Sequence, residues 1–174
     1  FIRLGGCDVG CVWCDVKESW DVNAFPLLSV EQIVAEASKY PARNVVITGG
    51  EPLMHPLDTL TTALKEAGFA THIETSGAWP LSGQWDWICF SPKKFKKPLD
   101  EVCSQAHELK VVVYNNSDFE FAMTYGHQVN DACRKYLQPE WSRSKKMTTA
   151  IVEFVKENPE WEISLQIHKF MDVP

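Results

Sequence analysis

Three cysteines stand within eight residues near the start of the chain, Cys7, Cys11 and Cys14, in the spacing C-x3-C-x2-C. Nothing else in the sequence restricts the possible folds as much. Gly5, Gly6 and Gly10 let the backbone curl tightly enough for three thiolates to converge. Crowding of this kind points to a metal or a cluster more than to disulfides, and Cys89, Cys103 and Cys133 are scattered. Small disulfide scaffolds also lack cores, whereas this chain has seven Trp and nine Phe. A closed zinc site needs four ligands, usually in paired knuckles, and no second knuckle or suitably spaced His follows. Asp8 or Asp15 as a fourth zinc ligand would be unusual. A cubane iron–sulfur cluster fits better: its four irons and three cysteines leave one iron open to a small molecule.

At 174 residues with 45% apolar content, the chain suits one compact domain, 1–174, with a real core. A net charge of −6 argues against nucleic-acid binding, and the densest basic stretch is only Lys93-Lys94-Phe95-Lys96-Lys97. No apolar run reaches membrane-spanning length and no leader precedes the domain, so a soluble, cytoplasmic protein is expected. The sequence opens at Phe1 inside a strand-like stretch, and a first strand and substrate loop are expected upstream of it.

Strand and helix signals alternate. Phe1–Leu4 reads as a strand before the cysteine loop. Ser29 and Gln32 form a capping box, and Val30, Ile33, Val34 and Ala37 give the helix it starts an apolar face. Asn44–Thr48 is a short buried-type strand ending at Gly49-Gly50. A second helix carries Leu57, Leu60, Leu64 and Ala67 and stops at Gly68. Strands are predicted at Thr71–Thr75, Trp87–Phe90, Leu109–Tyr114, Arg134–Leu137 and Ile163–Ile167. Helices are predicted at Ser117–Tyr125 and Lys146–Glu157, with Asn158-Pro159 ending the latter.

This alternation implies parallel βα units, either a partial, open βα barrel or an open doubly wound sheet. Both gather ligands at the C-terminal ends of the strands. The cysteine loop, Gly49-Gly50, Ser76-Gly77 and Ser91-Pro92-Lys93 all fall at such ends, which argues for one shared site. Taken singly these motifs are weak: Gly-Gly-Glu-Pro fits an ordinary strand-to-helix turn, and Ser-Pro a turn start. Arg3 alone would be a surface ion-pair residue.

C-x3-C-x-aromatic-C at the opening of a βα protein resembles the radical S-adenosylmethionine signature. The fuller strings Arg3-Leu4-Gly5-Gly6-Cys7 and Cys14-Asp15-Val16-Lys17-Glu18-Ser19-Trp20 resemble the 7-carboxy-7-deazaguanine synthases. The resemblance extends through Thr48–Pro52 and Ser91–Lys93 to the ending at Pro174. It implies a partial TIM-like barrel, a [4Fe-4S] cluster on Cys7, Cys11 and Cys14, and S-adenosylmethionine chelated to the open iron.

It further implies that Gly49, Gly50 and Glu51 hold the methionine amino group, and that Glu74 and Ser76 line the ribose and carboxylate. Ser91, Pro92 and Lys93 would belong to the same pocket, Gln138, Pro139 and Glu140 would lie near the adenine, and Trp13 and Asp15 would touch the cofactor. Arg3 would bind the substrate carboxylate, which a guanidinium fork suits, and Thr48 and His168 would face the substrate. The Pro174 carboxylate would accept from pterin N–H groups.

The reaction implied is conversion of 6-carboxy-5,6,7,8-tetrahydropterin to 7-carboxy-7-deazaguanine with loss of ammonia, for queuosine in tRNA. A 5′-deoxyadenosyl radical would take hydrogen from pterin C6 and later return it. A flavodoxin-type reductase, a homodimer and Mg²⁺ belong to the same expectation. There is one departure. Two residues after the last cluster cysteine the family has a Thr whose hydroxyl ligates Mg²⁺, and here stands Val16, which has no side-chain oxygen. An activating enzyme for a glycyl-radical protein shares the main motifs, and a zinc-stapled binding module is the non-catalytic rival.

Overall fold

In the computed structural model, which describes residues 1–172, seven strands form one sheet in the order of the chain, with every neighbouring pair parallel. The strands are β1 (Ile2–Leu4), β2 (Asn44–Gly49), β3 (Ala70–Thr75), β4 (Trp87–Phe90), β5 (Glu108–Val113), β6 (Arg134–Pro139) and β7 (Trp161–Ile163). Five helices lie in the crossovers: α1 (Val30–Ala37), α2 (Asp58–Glu66), α3 (Asp100–Gln105), α4 (Ser117–Gly126) and α5 (Ser144–Glu157). Residues 76–86 connect β3 to β4 without a helix, and α6 (Ile167–Phe170) follows β7. Parallel neighbours need right-handed crossovers, so strands in chain order place all crossover helices on one face. The other face curves around a cavity. This is a partial βα barrel whose end strands, β1 and β7, do not pair with each other.

Strand alternation divides the side chains between helices and cavity. On β5, Leu109, Val111 and Val113 are buried in the core, while Glu108, Lys110 and Val112 border the cavity. β2 does the same with Val45 and Ile47 in the core and Thr48 on the cavity. Each fully buried Leu, Ile or Val contributes about 1.5–3 kcal/mol, so the layer between sheet and helices holds the barrel wall.

The capping box forms as the sequence suggests: Gln32 N–H donates to Ser29 Oγ at 3.3 Å, and Ser29 N–H to Gln32 Oε1 at 2.8 Å. Gly68 ends α2 with a φ of +82°, a left-handed conformation that glycine adopts without strain.

Three expectations need correction. Ala67 is exposed at the end of α2, and Thr61 takes the buried place, its hydroxyl donating to the Leu57 carbonyl at 2.8 Å. The last strand is Trp161–Ile163, not 163–167. Trp161 anchors it by burying its ring against Gly126 and Phe154, and the chain then leaves the sheet. His168 is therefore on the short α6 and not at a strand end. The sequence reading also missed α3, whose six residues bury only Val102 and Cys103, too short a pattern for periodicity to register.

Candidate functional site

A cavity of about 880 Å³ opens at the C-terminal ends of the strands, bordered by the cysteine loop on one side and by residues 164–169 on another. Cys7, Cys11 and Cys14 all line it. The loop is pinned from both ends. Gly6 N–H donates to the Ser19 carbonyl at 2.8 Å, Cys7 N–H to that of Trp20 at 3.2 Å, and Cys14 N–H to that of Cys11 at 3.0 Å. Gly6 (φ +101°) and Gly10 (φ +72°) make the turns that other residues would resist.

Burial pushes the Cys7 thiol up, and pushes Cys11 up to about 11 against the pull of the Lys93 ammonium; the other two loop cysteines add to the rise at Cys11. Burial disfavours the thiolate at Cys7 and Cys11, so a cationic centre held between the loop sulfurs would offset that cost.

The turn after β2 is welded to this loop. Gly50 N–H donates to Leu4 O at 2.9 Å and Glu51 N–H to Gly6 O at 2.8 Å. A Cβ on Gly49 would lie 2.1 Å from the Leu4 carbonyl oxygen, and one on Gly50 would lie 2.2 Å from that of Gly6. Glycine is required here for close approach of the cysteine loop. With the Gly50 and Glu51 amides committed, what the turn offers an amino group is carbonyl oxygen.

Glu51 borders the cavity but is almost wholly buried, at 1% exposure. Its Oε1 accepts from Thr75 Oγ1 at 2.6 Å and Leu53 N–H at 3.1 Å; its Oε2 accepts from Ser76 N–H at 2.8 Å and Ser76 Oγ at 2.5 Å. The carboxylate is saturated by the protein and positions the ends of β2 and β3.

Deeper in, Lys110 of β5 pairs with Glu74 of β3. Burial pushes the Glu74 carboxyl up, but the charge and hydrogen bond of Lys110, with the charges of Lys93 and Arg3, together hold it below its ordinary value. Burial pulls Lys110 down, and its acidic surroundings, with the Glu74 and Glu108 carboxylates, more than reverse this. Glu108 accepts from Trp87 Nε1 at 3.1 Å and Cys89 Sγ at 3.3 Å. Lys93 donates to the Ser91 carbonyl and hydroxyl at 2.5 and 2.6 Å and has no carboxylate partner among the described residues. Its pKa is lowered by loss of solvation. This ammonium, at the cavity wall near Cys11, suits a ligand carboxylate.

Arg3, Trp13, Asp15, Thr48, Gly49, Gly50, Glu74, Ser76, Ser91, Lys93, Gln138 and His168 all border the same cavity. Pro92, Pro139 and Glu140 do not. Alternation on β6 turns Gln138 inward and Pro139 away, and Glu140 caps the turn after β6, accepting from Ser142 N–H at 3.0 Å and Ser142 Oγ at 2.6 Å. Pro174 lies outside the described residues. Lys110, Glu108 and Lys169 escaped sequence reading. The first two sit on a strand whose in–out alternation was the available signal, and the third on a tail with none.

The Asp15 carboxylate faces the tail, accepting from Lys169 Nζ and, at 3.0 Å, from Gln166 Nε2. Burial raises its pKa, but these donors and the Lys169 charge lower it further than burial raises it.

A barrel with three cysteines on the loop after β1 is the arrangement of radical S-adenosylmethionine enzymes, and the profile of the Radical SAM superfamily matches residues 1–104. Over its full length the chain is 51% identical to the 7-carboxy-7-deazaguanine synthase of Flavobacterium psychrophilum, covering 82% of that protein. It is 44% identical to that of a Synechocystis species, over 99% of this chain and 83% of that protein. The crystal structure of QueE from Escherichia coli superposes with a TM-score of 0.81 at 31% identity, over 94% of this chain and 83% of that one. The chain belongs to the 7-carboxy-7-deazaguanine synthase family.

Membership in the superfamily implies a [4Fe-4S] cluster and S-adenosylmethionine, and the residues present fit both. Three loop thiols face one cavity, an ammonium without a carboxylate partner stands beside them, and the volume is that of a site for small ligands. Mg²⁺ fits poorly. Val16 borders the cavity without offering a side-chain oxygen, and the adjacent Asp15 is already paired with a cation. Among the described residues no helix is long and apolar enough to cross a membrane.

Proposed function

We propose that this chain converts 6-carboxy-5,6,7,8-tetrahydropterin to 7-carboxy-7-deazaguanine with loss of ammonia, a step toward queuosine in tRNA. The observation that carries the reading is the joining of the three-cysteine loop to the Thr48–Glu51 turn across one cavity, in a chain 51% identical to a protein of that name. When bound, the cluster and S-adenosylmethionine supply a carbon-centred radical able to take a hydrogen atom from carbon.

The chain's own residues do the rest. Cys7, Cys11 and Cys14 hold the cluster. Carbonyls of the Gly49-Gly50 turn take the cofactor's amino group, Lys93 its carboxylate, and Gln138 and Ser76 its nucleoside. Arg3, Thr48 and His168 orient the pterin in the cavity. Glu51 acts through Thr75 and Ser76 as a positioning residue. A flavodoxin-type reductase as electron source, a cytoplasmic location and a homodimer belong to the same reading. Apolar side chains exposed along β7 and α6, among them Ile163, Ile167 and Phe170, support the dimer.

The test is anaerobic incubation of reconstituted protein with S-adenosylmethionine, dithionite and the tetrahydropterin. Formation of 7-carboxy-7-deazaguanine is expected. Release of 5′-deoxyadenosine alone would sink the substrate assignment.

A further inference from the structure

The chain leaves the sheet after β7, and the segment that follows runs along the border of the cavity. Ile163 is the last residue in register with β6. Ser164 makes the last contacts there, its N–H donating to the Leu137 carbonyl at 2.9 Å and its hydroxyl to Gln138 Oε1 at 3.2 Å. Beyond it α6 has four residues, and Ile167, Phe170 and Met171 are each more than half exposed. A single helical turn with so little buried does not hold its own place.

Two side chains of the body hold it. Trp141, just after β6, meets the Phe170 ring edge-on at 5.2 Å, and the Lys169 ammonium lies 5.4 Å from its ring centroid. Asp15 takes Lys169 Nζ and, at 3.0 Å, Gln166 Nε2, so both ends of α6 converge on one carboxylate. The charges of Asp15 and Lys169 match, and the pair is spent on this contact. His168 stands between the two donors and borders the cavity, so its place follows from theirs.

Asp15 directly follows Cys14, and the tail is thereby fastened to the cysteine loop itself. The other end of the loop is gripped in the same way. Asp8, directly after Cys7, accepts from Lys96 Nζ at 2.5 Å and from Trp79 Nε1 at 3.2 Å. A shift of Cys14 as it gains or loses iron moves the neighbouring carboxylate, and with it the anchor of α6.

We infer that Asp15 is a positioning residue that docks the tail of the chain on the cysteine loop, so that the His168 side of the pterin site is complete only when the loop holds its cluster. The part that concerns pterin rests on the substrate reading given above.

The test is hydrogen exchange by mass spectrometry on peptides covering residues 164–172, in anaerobic protein with and without its cluster. Local opening sets the exchange rate there. In cluster-loaded protein Asp15→Ala and Lys169→Ala should each speed exchange roughly fivefold, the scale of a half-exposed ion pair. The double variant should exchange no faster than either single one, because both remove the same contact. Lys169→Arg should keep the protection, and all these variants should keep their iron. Removing the cluster should speed tail exchange in the wild type and leave Asp15→Ala unchanged. Under turnover Lys169→Ala should raise KM for the tetrahydropterin roughly fivefold and leave kcat alone.

Tail exchange that ignores Asp15→Ala, or effects that multiply in the double variant, would overturn the docking. Equal wild-type exchange with and without the cluster would overturn its link to the loop. If these failures occur in protein that converts the tetrahydropterin, the substrate reading stands and only the docking falls. If the exchange results hold but pterins are neither bound nor converted, the substrate reading falls and the tail is docked for another ligand.

Discussion

Glu51 and Ser76, twenty-five residues apart, are joined by two hydrogen bonds to one carboxylate oxygen, from the Ser76 amide at 2.8 Å and its hydroxyl at 2.5 Å. The other oxygen holds Thr75 and Leu53, so a single buried side chain fixes where β2 and β3 end around the cavity. Glu51→Gln replaces one acceptor by a donor facing N–H and O–H groups. A loss of about 1.5–3 kcal/mol in unfolding free energy is expected, the weight of hydrogen bonds to a buried charge. Urea denaturation followed by circular dichroism measures it, and a variant as stable as wild type would show that the network is dispensable.

Gly50→Ala should damage the cysteine loop more than the fold. The new Cβ meets backbone, the Gly6 carbonyl oxygen at 2.2 Å, and the Cys7 Cβ at 2.8 Å, neither of which is the end of a flexible side chain. The loop must shift, and the three thiols lose their common focus. Iron and sulfide per chain after anaerobic reconstitution should fall well below wild type while helical content is kept. Full iron loading in this variant would contradict the close-approach argument.

Replacing Cys7, Cys11 or Cys14 singly by Ala should abolish cluster loading, because a cubane held by three thiolates does not keep its place with two. Cys103→Ala is the control. Its thiol is buried in the core beneath α3, away from the cavity, and the variant should load iron normally. Reduced protein gives the readout by electron paramagnetic resonance.

Asp86 should make stability depend on acid. Its carboxylate accepts from Lys65 Nζ at 2.7 Å and Thr71 N–H at 2.8 Å, chiefly through the lysine, and its pKa is lowered to about 2 from 3.8. A depressed folded-state pKa stabilises above the unfolded value, and that contribution fades as pH falls from 3.8 through 2. The side chain is 44% exposed, so solvent screening trims the contribution to about 1 kcal/mol. Asp86→Asn should therefore lower stability at pH 7 by that amount and make little difference near pH 2, as paired denaturation curves would show.

Local signals in this sequence were strong where one residue type has one use. The capping box at Ser29 and the stop at Gly68 were legible for this reason, as were the strand ends at Gly49 and Ser91. The cysteine spacing pointed to a cluster, and its neighbours to the family. β7 was misplaced because the residue that anchors it, Trp161, does so by packing on Gly126 and Phe154, neither of which is its neighbour in sequence. Glu140 was read as a site residue from the motif around it, whereas its carboxylate caps the following turn.

The three-cysteine loop, the glycines that let it curl and the alternation of strand and helix are properties of short stretches, and the sequence by itself determined them. Which charges meet was decided by tertiary structure alone. Closing the barrel wall brings Lys110 to Glu74 across thirty-six residues and Lys169 to Asp15 across more than a hundred and fifty. The energy of such pairs depends on distance and burial, and local sequence specifies neither. The chain is thus legible as a cluster enzyme from a few residues near its start. The distribution of charge in its cavity exists only once the first and last parts of the chain share one wall.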